Sequence, residues 1–349
     1  MKTDIIRIDK EKFEMKELKK AAYILRQGGL VAFPTETVYG LGADGLNEEA
    51  AKKIYAAKGR PSDNPLIIHI SDRDALYELT REIPKAAEKL AKAFWPGPLT
   101  MILKKSDKVP FGTTGGLDTV AIRMPQEPIA LALIEESGVY IAAPSANTSG
   151  RPSPTKAEHV IQDLSGKIDM IIDGGSVGIG LESTIIDLTS DIPTILRPGF
   201  ITKDMLESVV GEVMIDHSIL DSGSNVKPKA PGMKYKHYAP KGDITIYEGN
   251  IDDVIAQINI KAKEKSSDGI KVGIIATDET IHSYNYGIVK SIGTRKDDRS
   301  IARNLFALLR EFDDLNVEFI YTESFKDAGL GQAIMNRLLK AAGHHVMNA

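Results

Sequence analysis

The sequence predicts an α/β protein in two parts: a mixed sheet built from residues 1–210 and a smaller parallel α/β domain over 243–349. Three observations carry the prediction. Short apolar runs of strand length alternate with stretches of helical periodicity, irregularly in the first part and regularly in the second. The 349 residues suit about two domains of roughly 150 residues each. Between the two patterns, residues 211–242 change composition. Asp221-Ser222-Gly223-Ser224-Asn225 has the make-up of a linker, and Pro228, Pro231 and Pro240 bracket a basic, aromatic stretch that includes Tyr235.

The elements follow in order. Leu18, Ala21, Ala22 and Leu25 recur at helical spacing over residues 16–27, and Gly28-Gly29 stops that helix. Leu30–Phe33 is a short apolar run, read as a buried strand. Pro34-Thr35-Glu36-Thr37 breaks it and opens a loop expected to continue through Gly40 and Gly42. Asn47 is the N-cap of a helix over Glu48–Lys58, which Gly59 and Pro61 end. Strands are expected at Leu66–Ile70, Leu99–Leu103, Thr119–Met124, Val139–Ala143, Met170–Ile172, Ser183–Leu188 and Thr194–Leu196. Helices are expected near Pro84–Ala93, Pro128–Glu135, Lys156–Leu164 and Thr202–Val209. The second part reads as strands at Ile244–Tyr247, Val272–Ala276 and Val317–Tyr321, with helices over Asp252–Lys265, Ser300–Phe312 and Gly331–Ala342.

Composition excludes several functions. Net charge is −4, so no global field draws the chain to nucleic acid or anionic membrane, and any RNA contact would be a local patch. Cysteine is absent, which removes disulfides, thiolate metal sites and cysteine nucleophiles. The seven histidines are scattered apart from His344-His345, so no metal site is read from spacing. The charged N-terminus lacks the apolar core of a signal peptide, and no apolar run reaches the ~20 residues of a membrane helix. The expectation is a cytoplasmic protein. Neither G-x-x-x-x-G-K-[ST] nor G-x-S-x-G occurs, and the second part lacks G-x-G-x-x-G.

Two clusters stand out. Lys58-Gly59-Arg60 places two cations at a helix end; they either complement the helix dipole or meet phosphate, and the Pro-stiffened loop carrying Asn64 favours the second role. Ser145-Ala146-Asn147 follows the apolar run Val139–Ala143, in the position beyond a strand's carboxyl end where α/β sheets bind ligands; a plain polar turn is the other reading. Arg123 and Arg197 each close an apolar strand, where a guanidinium needs a carboxylate or phosphate partner, internal or bound. His69 lies late in a strand, structural or catalytic.

The run Phe33-Pro34-Thr35-Glu36-Thr37-Val38-Tyr39-Gly40-Leu41-Gly42 resembles the opening of the YrdC-like domain. Lys58-Gly59-Arg60 and Ser145-Ala146-Asn147 resemble its K-x-R and S-x-N signature, and residues 231–240 resemble the linker of longer, two-domain members, the threonylcarbamoyl-AMP synthases. The resemblance implies a YrdC-like twisted mixed sheet with a large concave pocket, followed by a Rossmann-like domain. It implies condensation of L-threonine, bicarbonate and ATP to threonylcarbamoyl-adenylate with release of pyrophosphate; a partner transferase then moves the group to an adenosine beside the anticodon of tRNA. Carried over residue by residue, Arg123 would hold the threonine carboxylate, with Thr37, His69, Ala143 and Ser183 around it. Arg60, Asn64, Thr119, Ser145, Ser153, Arg197 and Tyr235 would contact ATP, with Mg²⁺ on the triphosphate. Lys58 and Arg60 would supply catalytic charge, and Tyr235 would fold over the nucleotide as part of a lid. Rival expectations are a non-enzymatic tRNA- or double-stranded-RNA-binding module, a carbamoyl-adenylate enzyme of the hydrogenase-maturation type, whose cysteine motifs this chain lacks, and a regulatory second domain.

Overall fold

The computed structural model describes residues 1–216 and 238–349, in two compact units. The first comprises Met1–Ser149 and the described residues from Ser153 to 216; the second comprises Gly150–Pro152 and 238–349. The 211–242 segment lies mostly outside the described residues, and Tyr235 lies wholly outside them.

The strands of the first unit are β1 (Asp4–Arg7), β2 (Val31–Phe33), β3 (Gly40–Asp44), β4 (Ile67–His69), β5 (Leu99–Lys104), β6 (Thr119–Arg123), β7 (Ile141–Ala142), β8 (Met170–Asp173), β9 (Thr184–Asp187), β10 (Thr194–Arg197) and β11 (Met214–Ile215). They form one mixed sheet in the order β1-β8-β2-β3-β7-β4-β6-β5-β9-β10-β11. The sheet is parallel at β4–β6 and β5–β9 and antiparallel at β5–β6, β4–β7 and β2–β3. The capped helix forms as expected over Glu48–Lys58. Asn47 accepts from the amides of Glu49 and Ala50, and Gly59 closes the helix at φ 61°, a conformation that favours glycine.

One expectation fails. Residues 40–44, read as loop because of their glycines, form strand β3 against β2. The glycines serve packing there: a Cβ on Gly42 would lie 2.7 Å from Ile141 Cγ2 and 2.8 Å from Phe33 Cε1. The sheet is covered by two apolar clusters. Leu41, Ile54, Ile68 and Ile122 belong to the larger, and Leu25, Phe33, Leu133 and Ile172 to the smaller.

The second unit holds β12 (Asp243–Glu248), β13 (Val272–Ala276), β14 (Ile288–Ser291), β15 (Phe319–Glu323) and β16 (Val346–Asn348). All pairings are parallel, in the order β14-β13-β15-β12-β16. Helices Ile251–Ser267, Asp298–Asp314 and Leu330–Ala341 supply the crossovers, as βαβ units require. The expected small parallel sheet is therefore present, with β14 and β16 added at its edges.

Candidate active site

The site is built on five neighbouring strands, β4, β6, β5, β9 and β10. Side chains alternate along a strand, so Ile67 and His69 of β4 share a face with Ala121 and Arg123 of β6, beside which they lie in register. Ile67, Ala121, Ile102 of β5, Ile185 of β9 and Leu196 form a small apolar cluster of their own. Polar groups gather at its two ends.

At the carboxyl end of β6, Arg123 is 4% exposed. Its Nη1 donates to Thr37 Oγ1 at 2.9 Å, and its Nη2 lies 2.7 Å from Glu36 Oε1. That ion pair is close but not aligned as a hydrogen bond. Arg123 Nη2 and both Glu36 oxygens are buried without a hydrogen-bond partner. Thr100 stands opposite Arg123 on β5, and its hydroxyl shares a 2.7 Å hydrogen bond with that of Ser183. Arg197 donates from Nε to the Ser183 carbonyl at 3.0 Å and from Nη2 to its hydroxyl at 3.1 Å. Thr37 and Arg123 form one buried polar group and Ser183, Thr100 and Arg197 another, and the register of Thr100 with Arg123 sets the two side by side.

His69 pairs with Arg123 in register, packs edge-on to Phe33 at 6.2 Å between ring centres, and places Nδ1 3.1 Å from the Ile67 carbonyl. Burial, reinforced by the Arg123 charge, pulls its pKa down to about 3. The imidazole is neutral at physiological pH and offers hydrogen bonds, not charge. The Ala143 amide donates to the Ile67 carbonyl at 2.8 Å, at the start of β4, so the antiparallel β7 carries the residues after it away from His69 and toward the opposite end of the strands.

The other end lies before β4. Arg60 Nη2 donates to the Pro65 carbonyl at 3.2 Å, with weaker contacts from Nε and Nη2 to the Asn64 carbonyl at 3.4 Å. Asn64 is 2% exposed, and its Oδ1 is buried without a partner. Thr119 opens β6, two residues before Ala121, which pairs with Ile67 at the start of β4. It stands at this end and not beside Arg123, roughly 13 Å away at about 3.3 Å per residue.

The two signature clusters meet. Lys58 is 2% exposed, and its ammonium donates to the carbonyls of Ser145 and Asn147. Ser145 donates its hydroxyl to Asn147 Oδ1. Lys58 therefore ties the helix end to the Ser145–Asn147 loop. The loop is also held by the Gly40–Ser145 bridge and by the Ala146 amide donating to the Tyr39 carbonyl at 2.8 Å. Ser153 donates to the buried carboxylate of Glu182. Tyr39, whose pKa burial pushes up, donates its hydroxyl to the Gly175 carbonyl at 2.7 Å and pins the Gly174-Gly175 loop.

Sequence reasoning passed over Glu36, Thr100 and Glu182 as site residues. Glu36 carried a usable signal: a carboxylate between two threonines directly after a buried strand. Thr100 carried none, since its role follows from which strands become neighbours.

A family model described as "Telomere recombination", covering the Sua5, YciO and YrdC group, matches residues 23–199. A second, described as "Threonylcarbamoyl-AMP synthase, C-terminal domain", matches residues 201–343. The chain is 52% identical to the threonylcarbamoyl-AMP synthase of Bacillus subtilis, over 95% of this chain and 94% of that protein.

The chain belongs to the threonylcarbamoyl-AMP synthase family.

It is also 51% identical to the threonylcarbamoyl-AMP synthase of Pyrococcus abyssi, covering 97% of each chain. The crystal structure of P. abyssi Sua5 complexed with L-threonine superposes with a TM-score of 0.94 at 49% identity, covering 99% of this chain and all of that one. The threonylcarbamoyl-AMP synthase fold, a large mixed sheet followed by a parallel one, is the architecture described above. Among the described residues no helix is long and apolar enough to cross a membrane.

Proposed function

We propose that the chain is an L-threonylcarbamoyladenylate synthase, a nucleotidyltransferase that condenses L-threonine, bicarbonate and ATP and releases pyrophosphate. The observation that supports this most directly is the pair Arg123 and Glu36. Two buried, opposite charges lie side by side with hydrogen-bonding capacity unmet. An amino acid complements both: its carboxylate suits the Arg123 fork and its ammonium suits Glu36. The Thr37, Ser183 and His69 side chains surround that position.

The chemistry needs charge and placement more than a covalent nucleophile. The threonine ammonium first gives up a proton to water. The amine then attacks the carbon of bicarbonate, and water departs to leave a carbamate. A carbamate oxygen next attacks the α-phosphorus, and the bond to the bridging oxygen breaks as pyrophosphate leaves. Arg60, Asn64, Thr119 and Ser145 at the far end of the strands are the groups we assign to ATP, with Ser153, Arg197 and Tyr235. Lys58 acts by fixing the Ser145 loop. The span of roughly 13 Å between the two ends suits an amino acid joined to a nucleotide.

Mg²⁺ would neutralise triphosphate charge. It would be held chiefly by phosphate oxygens and water. The product would serve a transferase that modifies tRNA beside the anticodon, in the cytoplasm. The enzymatic reading displaces the RNA-binding alternative, since near full-length relatives are synthases. The test is pyrophosphate release from ATP and Mg²⁺, which should require both L-threonine and bicarbonate. Release that is indifferent to threonine would refute the assignment.

A further inference from the structure

The second unit contains a cavity of about 590 Å³ whose chemistry has no part in the reaction above. Its place follows from topology. β15 and β12 are neighbours, but the chain leaving β12 crosses to β13 beyond β15, and the chain leaving β15 crosses to β16 beyond β12. The crossovers depart in opposite directions, which opens a crevice beyond the carboxyl ends of these strands. This is where parallel α/β sheets bind ligands. The cavity lies there: Gly249 and Asp252 follow β12, Glu279 follows β13, and Phe325 and Lys326 follow β15. Its volume is in the range of small-molecule sites.

The wall carries a built polar centre. Glu323 is 1% exposed; its Oε1 accepts the hydroxyls of Thr280 and Tyr284, the latter at 2.7 Å, and its Oε2 accepts from Arg295 Nη2. Arg295 Nη2 also donates to the Ser324 carbonyl at 3.1 Å, and the guanidinium lies 5.3 Å over the Phe325 ring. The arm is thus clamped by Glu323, Ser324 and Phe325, while among the described residues its buried Nε has no hydrogen-bond partner. A clamped guanidinium with a buried donor left over is a receptor for an oxyanion.

The oxyanion is a carboxylate and not a phosphate. Three carboxylates, Asp252, Glu279 and Glu323, line the cavity against two cations, Arg295 and Lys326, so a dianion is repelled. The helix N-terminus at Ile251 already carries Asp252 and Asp253 in its first turn, which oppose a phosphate there. Glu279 is held ionised by the Thr294 hydroxyl and the Arg295 amide, its pKa drawn down to about 2, and it suits an ammonium group. Tyr247, Ile255 and Phe325 give the rest of the wall an apolar character.

We propose that this crevice binds a free α-amino acid, its carboxylate on Arg295, its ammonium toward Glu279, and its side chain against Tyr247, Ile255 and Phe325. The second unit then senses an amino acid at a site separate from Arg123.

The test is calorimetric titration of the full chain with L-threonine, L-leucine and L-phenylalanine separately, and with AMP and inorganic phosphate as contrasts. At least one amino acid is expected to bind. Arg295→Gln is expected to weaken that event about tenfold or more, while pyrophosphate release without added effector is unchanged. Ile255→Trp, which fills the cavity from its apolar wall and leaves the Arg295–Glu323 pair intact, is expected to weaken it as well, and this variant decides the matter if Arg295→Gln does not fold. The proposal falls if none of the amino acids binds outside the catalytic site, if binding ignores both variants, or if only AMP or phosphate responds to Arg295→Gln.

Discussion

Arg123→Lys isolates what the guanidinium fork contributes. Arg123 reaches Thr37 at 2.9 Å and Glu36 at 2.7 Å from two different nitrogens. A lysine keeps the positive charge beside Glu36 but offers one nitrogen where two are needed to grip a carboxylate. Losing one charge-assisted hydrogen bond to substrate costs about 1.5–3 kcal/mol, or roughly ten- to 150-fold in threonine affinity. Because the buried carboxylate of Glu36 keeps a counter-charge, the fold should lose far less than the ~3–5 kcal/mol expected when a buried pair is broken outright, as in Arg123→Ala. The assay is pyrophosphate release with threonine and ATP varied in turn, alongside a thermal melt. The KM for threonine should rise within that range while the KM for ATP stays within about twofold, on a protein whose melting point shifts little. An equal rise in both constants, or a larger one for ATP, would refute the placement of threonine at Arg123.

Other perturbations follow from the same geometry. Lys58→Met removes the tie between helix and loop and leaves the Ser145 and Asn147 carbonyls short of a donor, so about 1–3 kcal/mol of stability should disappear in urea melts and ATP use should suffer more than threonine use. Gly42→Ala drives a methyl into Ile141 and Phe33, and a loss of about 1–3 kcal/mol is expected by the same melts. His69 is neutral in the fold down to about pH 3, whereas unfolded it protonates near its ordinary value of 6.5. Between those values the unfolded chain binds the extra proton, so this group's stabilising effect is complete above pH 6.5 and falls by roughly 1.4 kcal/mol for each pH unit below it. His69→Gln should flatten the acid limb of stability against pH; an unchanged limb would show that the ring is protonated in place.

Much of the molecule could be read from local signals. The Glu48–Lys58 helix is bounded by Asn47 and Gly59, both of which act within a turn of their own position, and its limits are as the sequence predicts. Strand β3 was hidden because Gly40 and Gly42 resemble loop residues; what makes them strand residues is the crowding of Phe33 and Ile141, which no local window contains. The strand expected over Val139–Ala143 pairs only at Ile141–Ala142, since a sheet records pairing and not hydrophobicity. At the site, the polar side chains Lys58, Arg60, Arg123, Ser145 and Arg197 stood out in the sequence because charge and hydroxyls at strand or helix ends demand partners. Which partners they find depended on strand order. Glu36 meets Arg123, and Lys58 meets the carbonyls of Ser145 and Asn147 because that loop is folded over it.

The parallel pairing of β4 with β6 works as a fixed gauge. Thr119 and Arg123 are mounted on the same rod, so their separation is counted in whole peptide units and cannot drift with side-chain motion. Deleting one residue from β6 would shorten the gauge by a single step and also turn Arg123 to the opposite side of the sheet. Variation in what the enzyme accepts must therefore arise from the groups at the two tips, while the distance between them stays out of reach of point substitution.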